Sequence, residues 1–223
     1  AISKLRFAFS KENSVIFGEA NNTLNKDEFA ELKTDFVIMH PPFNIKWQSI
    51  NTLFDPRFDP QFGVPSKSNA NLAWIQHAIF HLKEEGKAAV LLSNGSLSSR
   101  GREGEIRRKI IENNLVEAII SLPPQMLTNT SIPSSIWVLS KKKIRKNEVL
   151  FIDASELGKI VGRSQRIFSK KDIHEVVDEY RSYLDKDFEF NAKNGFSNSV
   201  SVNEISENEF SLIPARYVGI SNN

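Results

Sequence analysis

The 223 residues are 40% hydrophobic and 25% charged, enough for one substantial α/β domain with an appendage. No apolar run reaches the length of about 18 residues that a membrane span needs, and no charged-then-apolar opening marks a secreted chain. The absence of cysteine excludes disulfides and thiolate-bound zinc. A cytoplasmic location with no membrane partner fits, and a net charge of +2 is too small by itself to announce a nucleic-acid partner.

In chain order, β-type runs fall at Ser14 to Phe17, Asp35 to Met39, Ala88 to Ser93, Val116 to Leu122, Ser135 to Ser140 and Glu148 to Ile152. Most are continuously apolar, as strands covered on both faces are, and longer helical stretches separate them. One helix is predicted over Asn69 to Glu85, with Leu72, Ile75, Ile79 and Leu82 on one face and Gly86 as its stop. A second is predicted from about Gly104 to Asn113. A third is capped by Ser169 with Asp172 three residues on, and presents Ile173, Val176, Val177, Tyr180 and Leu184. The basic run Lys141, Lys142, Lys143, Arg145 and Lys146 reads as a solvated inter-strand loop, with phosphate contact as the alternative. Beyond Asp185 the pattern weakens into Asn-, Ser- and Glu-rich sequence, so residues 1–186 are taken as the catalytic-type domain and 187–223 as an extension.

The segment Asp35-Phe36-Val37-Ile38-Met39-His40-Pro41-Pro42-Phe43-Asn44 is a strand that stops in two prolines and an aromatic ring. The prolines remove two amide donors and leave carbonyls aimed off the strand's C-terminal end, which in an open α/β sheet faces the ligand crevice. Taken alone, Pro-Pro-Phe also reads as a rigid turn. Together with Phe62 to Asn71, Ile75-Gln76-His77, His81-Leu82-Lys83, Gly101 to Arg107, Leu122-Pro123, Ile132-Pro133, Val149 to Ser155 and Leu212 to Val218, it resembles the modification subunit of type I restriction–modification systems. These subunits are N6-adenine DNA methyltransferases.

The resemblance implies a Rossmann-like, S-adenosylmethionine-dependent methyltransferase fold: a mostly parallel sheet in which Ser135 to Ser140 is the one antiparallel strand. It implies DNA as substrate, S-adenosylmethionine as cofactor, and specificity and restriction subunits as partners. In that family the target adenine leaves the stack, and an aromatic ring, Phe43 here, stacks on it. The side-chain carbonyl of an Asn and the carbonyl of the following residue, Pro41 here, accept the amine hydrogens, and Pro42 completes the motif. This sequence has His40 at the Asn position. A neutral imidazole offers one acceptor nitrogen and a protonated one offers none.

By the same resemblance Ile2 to Phe9 matches a helix that follows the cofactor-binding strands, so the chain is expected to begin inside the domain, without its N-terminal strands. No G-x-G occurs in it. Glu19, after Gly18, falls where the family carries an acid near the cofactor's adenine, or is a loop acid. Lys67, Arg100 and Arg102 lie in loops that strand order brings toward the crevice mouth, where they can meet phosphate; Arg102 and Arg107 can instead pair with Glu103 and Glu105. His77 and His81 have a metal-clamping spacing, yet no third ligand is evident and no metal is expected; Trp74 reads as core or interface. Two functions follow. One is an adenine DNA methyltransferase subunit that is inactive alone. The other is a degenerate relative that retains DNA or partner binding.

Overall fold

A computed structural model describes residues 23–47, 55–58, 62–127, 131–162, 165–187 and 189–219. In order these form β1 (Thr34–Met39), α1 (Asn71–His81), β2 (Leu82–Ser93), α2 (Arg102–Glu112), β3 (Val116–Ser121) and β4 (Ser134–Ser140). They continue as β5 (Glu148–Asp153), β6 (Lys159–Val161), β7 (Gln165–Ile167), α3 (Lys170–Leu184), β8 (Ser197–Ser201) and α4 (Val202–Glu207). Six strands make one sheet in the order β1-β2-β4-β3-β5-β8, and β6 and β7 form a separate hairpin. The predicted strand Ser14 to Phe17 and helix Ile2 to Phe9 lie outside the described residues.

β1 runs parallel to β2, with Met39 opposite Val90, and β3 runs parallel to β5. β4 is antiparallel to both of its neighbours, as expected of the segment from Ser135. A second antiparallel strand was not foreseen: β8 pairs with β5, Ile152 opposite Ser197. Its Ser- and Asn-rich sequence carries little strand propensity, and the ladder with β5 outweighs it.

The period-2 alternation sorts the strands between two cores. Ile119, Val149 and Phe151 face the layer of α1 and α2 with Leu72, Ile75, Ile106 and Ile110, while Ala118, Ile120, Leu150 and Ile152 face α3 through Val176 and Tyr183. All six residues of β3 are buried, which explains its unbroken apolar run. Each fully buried Leu, Ile or Phe contributes about 1.5–3 kcal/mol.

Three expectations need correction. The first helix stops at His81, because Leu82 is already extended and opens β2. Gly86 lies within that strand, where a Cβ would stand 3.0 Å from the Thr34 carbonyl oxygen. The ladder is irregular there: Thr34 pairs with Leu82, but Phe36 pairs with Lys87. On α3, Val176, Tyr180 and Leu184 pack against the core as expected and are joined by the buried Glu179 and Tyr183, but Ile173 is exposed. The Ser169 capping box forms as predicted, Asp172 N donating to Ser169 Oγ and Ser169 N to Asp172 Oδ2. Finally, the basic run does join two strands, but it is not simply solvated. Lys143 is buried and donates to the Glu148 carbonyl, burial lowering its pKa to about 8; Lys141 Nζ donates to Leu82 O at 2.7 Å and Arg145 Nε to Tyr183 O at 2.8 Å.

Candidate active site at the end of β1

Met39 ends β1, and His40 to Phe43 follow at the carboxyl edge of the sheet. The same edge receives the end of β2, where Asn94 N donates to Pro133 O at 2.9 Å just before β4 begins. Pro41 is buried and Pro42 exposed; Phe43 is half-buried against the core of α1 and α2. His40 is exposed, its ring centroid 5.5 Å from that of Phe43 at an interplanar angle of 42°. An imidazole edge and an aromatic ring thus share one short loop beside a buried proline.

The loop after Phe43 is held chiefly by Asn44, Asn71 and Ser93, none of them among the residues expected to line the site. Asn44 has φ +53°, a left-handed conformation that Asn tolerates better than most residues. Its backbone N donates to Asn71 Oδ1 at 3.0 Å, and its Oδ1 accepts from Asn71 Nδ2 at 2.8 Å and from Ser93 Oγ at 3.0 Å. Asn71 is the first residue of α1, and Ser93 the last of β2. Further along, Ala70 N donates to Ile45 O, Trp47 N to Lys67 O, and Trp47 Nε1 to Ser66 O at 2.7 Å. Ser66 N in turn donates to Glu103 Oε1 at 2.9 Å; burial raises the Glu103 pKa, against the pull of that bond. The stretch Phe62 to Asn71 is therefore a backing strip for the Pro-Pro-Phe loop. The signal for it was available: two Asn residues beside the motif and at a helix start, both positions where their amides bind backbone.

The backing strip brings Lys67 beside the loop, with its side chain exposed. Arg100 and Arg102 are exposed beyond the end of β2, and Arg100 Nη2 lies 3.4 Å from Glu209 Oε2. Arg100 and Arg108 line a cavity of about 690 Å³ with Gly101, Phe210 and Arg216. Arg107, expected to pair with Glu103 or Glu105, is buried and spends its hydrogens on carbonyls, Phe210 O at 2.8 Å and Ser99 O at 2.7 Å; burial lowers its pKa to about 10 against the pull of the nearby Glu103 charge. Glu19 lies outside the described residues.

His77 and His81 do gain a third neighbour, Asp27, which the sequence did not suggest. The three donor atoms lie within 4.8 Å of one another. A fixed cation, however, shares the cluster: Arg57 Nη1 is 3.3 Å from His77 Nδ1 and 3.9 Å from Asp27 Oδ2. Arg57 also donates to Thr23 O, Leu24 O and both Asp55 oxygens. Both ring nitrogens of His81 face acceptors, Leu32 O at 2.7 Å and Asp27 Oδ2 at 2.8 Å. Burial, with His81 and Arg57 close by, lowers the His77 pKa to about 4. Burial pushes the Asp27 carboxyl upward, but the Phe29 N–H and the two histidines more than offset it, and its pKa is lowered. Among the described residues this cluster ties segment 23–32 and Arg57 to the end of α1. Trp74 packs in a small core with Leu24, Trp47 and Phe58.

The profile of the family described as N-6 DNA Methylase matches residues 10–223. The methylase subunit of the type I restriction enzyme HindI of Haemophilus influenzae is 43% identical over 206 residues, which cover 91% of this chain and 46% of that protein. A type I methylase subunit of Methanocaldococcus jannaschii, that of MjaIX, is 35% identical over 229 residues, covering 97% and 41%. The crystal structure of a type I restriction–modification methyltransferase subunit from Streptococcus thermophilus superposes with a TM-score of 0.80 at 34% identity, over 90% of this chain and 41% of that one. The chain thus spans about half or less of the length of the relatives it matches.

Proposed function

The chain belongs to the N-6 DNA methylase family, and from that premise we propose that it forms the target-base side of an adenine-N6 DNA methyltransferase of the type I restriction–modification kind. The observation that carries the proposal is the Pro-Pro-Phe loop at the carboxyl end of a parallel strand, where open α/β sheets bind ligands. In this reading an adenine turned out of the duplex stacks on Phe43. The Pro41 carbonyl and a neutral His40 imidazole accept its two amine hydrogens, which turns the nitrogen lone pair toward the methyl donor. Pro42 fixes the backbone between them. Lys67, Arg100 and Arg102 meet DNA phosphates and add affinity without sequence preference.

S-adenosylmethionine supplies the methyl group when bound. The residues present fit the base-facing side of its site: an exposed imidazole and a half-buried ring beside the buried Pro41. The glycine-rich loop that the resemblance calls for has no counterpart in the 223 residues, since no G-x-G occurs, and Glu19 is the residue proposed to reach the cofactor's adenine. Specificity and restriction subunits are the proposed partners, with sequence choice left to the former. The cytoplasm is the proposed compartment; no described helix is long and apolar enough to cross a membrane.

One observation favours a second reading. His40 stands where the family's mechanism needs an amide, so a non-catalytic relative that keeps DNA or partner binding is the alternative. Tritiated methyl transfer to DNA by the full-length protein assembled with its specificity subunit separates the two. Label in adenine N6 supports the enzyme; DNA retention without transfer supports the relic.

A further inference from the structure

We propose that Asn44 and Asn71 form a reciprocal amide clamp that positions the His40–Phe43 loop for methyl transfer, a role that rests on the reading of that loop as the methyl-transfer site. The clamp has an unusual economy. A single side chain, Asn71, takes the Asn44 backbone hydrogen on its Oδ1 and returns an Nδ2 hydrogen to Asn44 Oδ1, closing a two-bond ring one residue after Phe43. Ser93 Oγ donates to the same Asn44 oxygen and accepts from Asn71 Nδ2 at 3.3 Å, so the end of β2 joins the ring.

Asn71 is 2% exposed, and its own N–H is held by Asn69 Oδ1 at 2.9 Å. The next residue, Leu72, is fully buried. The clamp is therefore anchored in the core on one side and reaches the loop on the other. A buried amide this completely satisfied is costly to disturb and tolerates few substitutes. Asp has no hydrogen to return, and Gln is one methylene too long. The left-handed turn at Asn44 makes the loop reverse immediately after Phe43, so a shift at this residue passes directly into the ring that stacks on the base and the carbonyl of Pro41. A displacement of about 1 Å at a reacting centre costs on the order of 100-fold in rate.

Two variants in the assembled full-length complex test this. Asn71→Leu removes the clamp; Asn44→Gly, at an exposed position, keeps the backbone N–H and the left-handed φ while losing the acceptor oxygen. The single-turnover methyl-transfer rate is expected to fall at least about tenfold in each, with DNA affinity within about twofold of wild type. The double variant should be no slower than the slower single one, since the residues act as one unit. Rates within about twofold of wild type, or losses that merely follow DNA affinity, overturn the proposal. Hydrogen exchange of the 42–47 segment in the same complexes gives a readout independent of turnover. If the wild-type complex transfers no methyl, the reading of the site fails, and exchange decides the clamp. Protection of the residue 44 amide that Asn71→Leu loses, and faster exchange of the flanking 42–47 amides in both variants, supports it, and exchange equal to wild type in both overturns it.

Discussion

Only some of the site can be read as single residues. His40, Pro41, Pro42 and Phe43 are contiguous, so their chemistry shows in the order of letters, and the structure puts them at the expected end of β1. Asn44, Asn71 and Ser93, or Asp27, Arg57 and His81, meet only through the fold across 22 to 54 residues; an Asn beside the motif and another at a helix start suggest backbone-binding amides, but nothing local says that they meet each other. If an acceptor at position 40 directs the adenine nitrogen, His40→Asn should raise methyl transfer by the assembled complex about tenfold or more, and His40→Ala should abolish it. Equal rates for wild type and the Asn variant would show that this acceptor is dispensable. His77 makes a stability prediction. In the unfolded chain its imidazole takes up a proton near 6.5, but in the folded chain only near 4. Between those values the unfolded state binds more protons, so stability falls as pH drops from 6.5 to 4 and is insensitive to this group above 6.5. The slope is at most about 1.4 kcal/mol per pH unit. Urea melts should show it in the wild type and much less of it in His77→Gln; identical slopes would remove His77 as the cause.

At the scale of elements, strands with two covered faces were legible because their composition is extreme, as in the wholly buried β3. The boundary between α1 and β2 was not. Leu82 continues the helical apolar spacing while its backbone has already turned extended, and pairing with Thr34 decides the matter. β8 escaped notice for the opposite reason: Ser197 to Ser201 has strand geometry because β5 offers it a ladder, not because of its own residues. The position of Gly86 yields a test. An added Cβ would sit 3.0 Å from the Thr34 carbonyl and 3.1 Å from Leu82 Cβ, at the irregular step in the ladder. Gly86→Ala should cost about 1–3 kcal/mol, read as a lower urea midpoint with an unchanged slope. An unchanged midpoint would mean that β1 gives way freely at Thr34.

For the whole molecule, the parallel strands, the helical layers and the crevice edge are implied by the order of apolar runs, whereas the antiparallel β4 follows only from the family resemblance and β8 from neither. The two edges of that sheet differ in character. β8 is short and rich in Ser and Asn, residues that solvate an edge well. β1 pairs, among the described residues, with β2 alone; Phe36 is 75% exposed and Ile38 89% exposed, and the stretch Phe36 to Met39 carries no charge and no proline. Its colloidal consequence is a sticky margin, since an apolar strand edge recruits copies of itself. The 223-residue polypeptide alone should therefore scatter light increasingly with concentration and precipitate from dilute salt, whereas a Phe36→Lys, Ile38→Lys double variant should stay clear under the same conditions. Were both to remain dispersed, the margin would be harmless and the limit on handling this polypeptide would lie elsewhere.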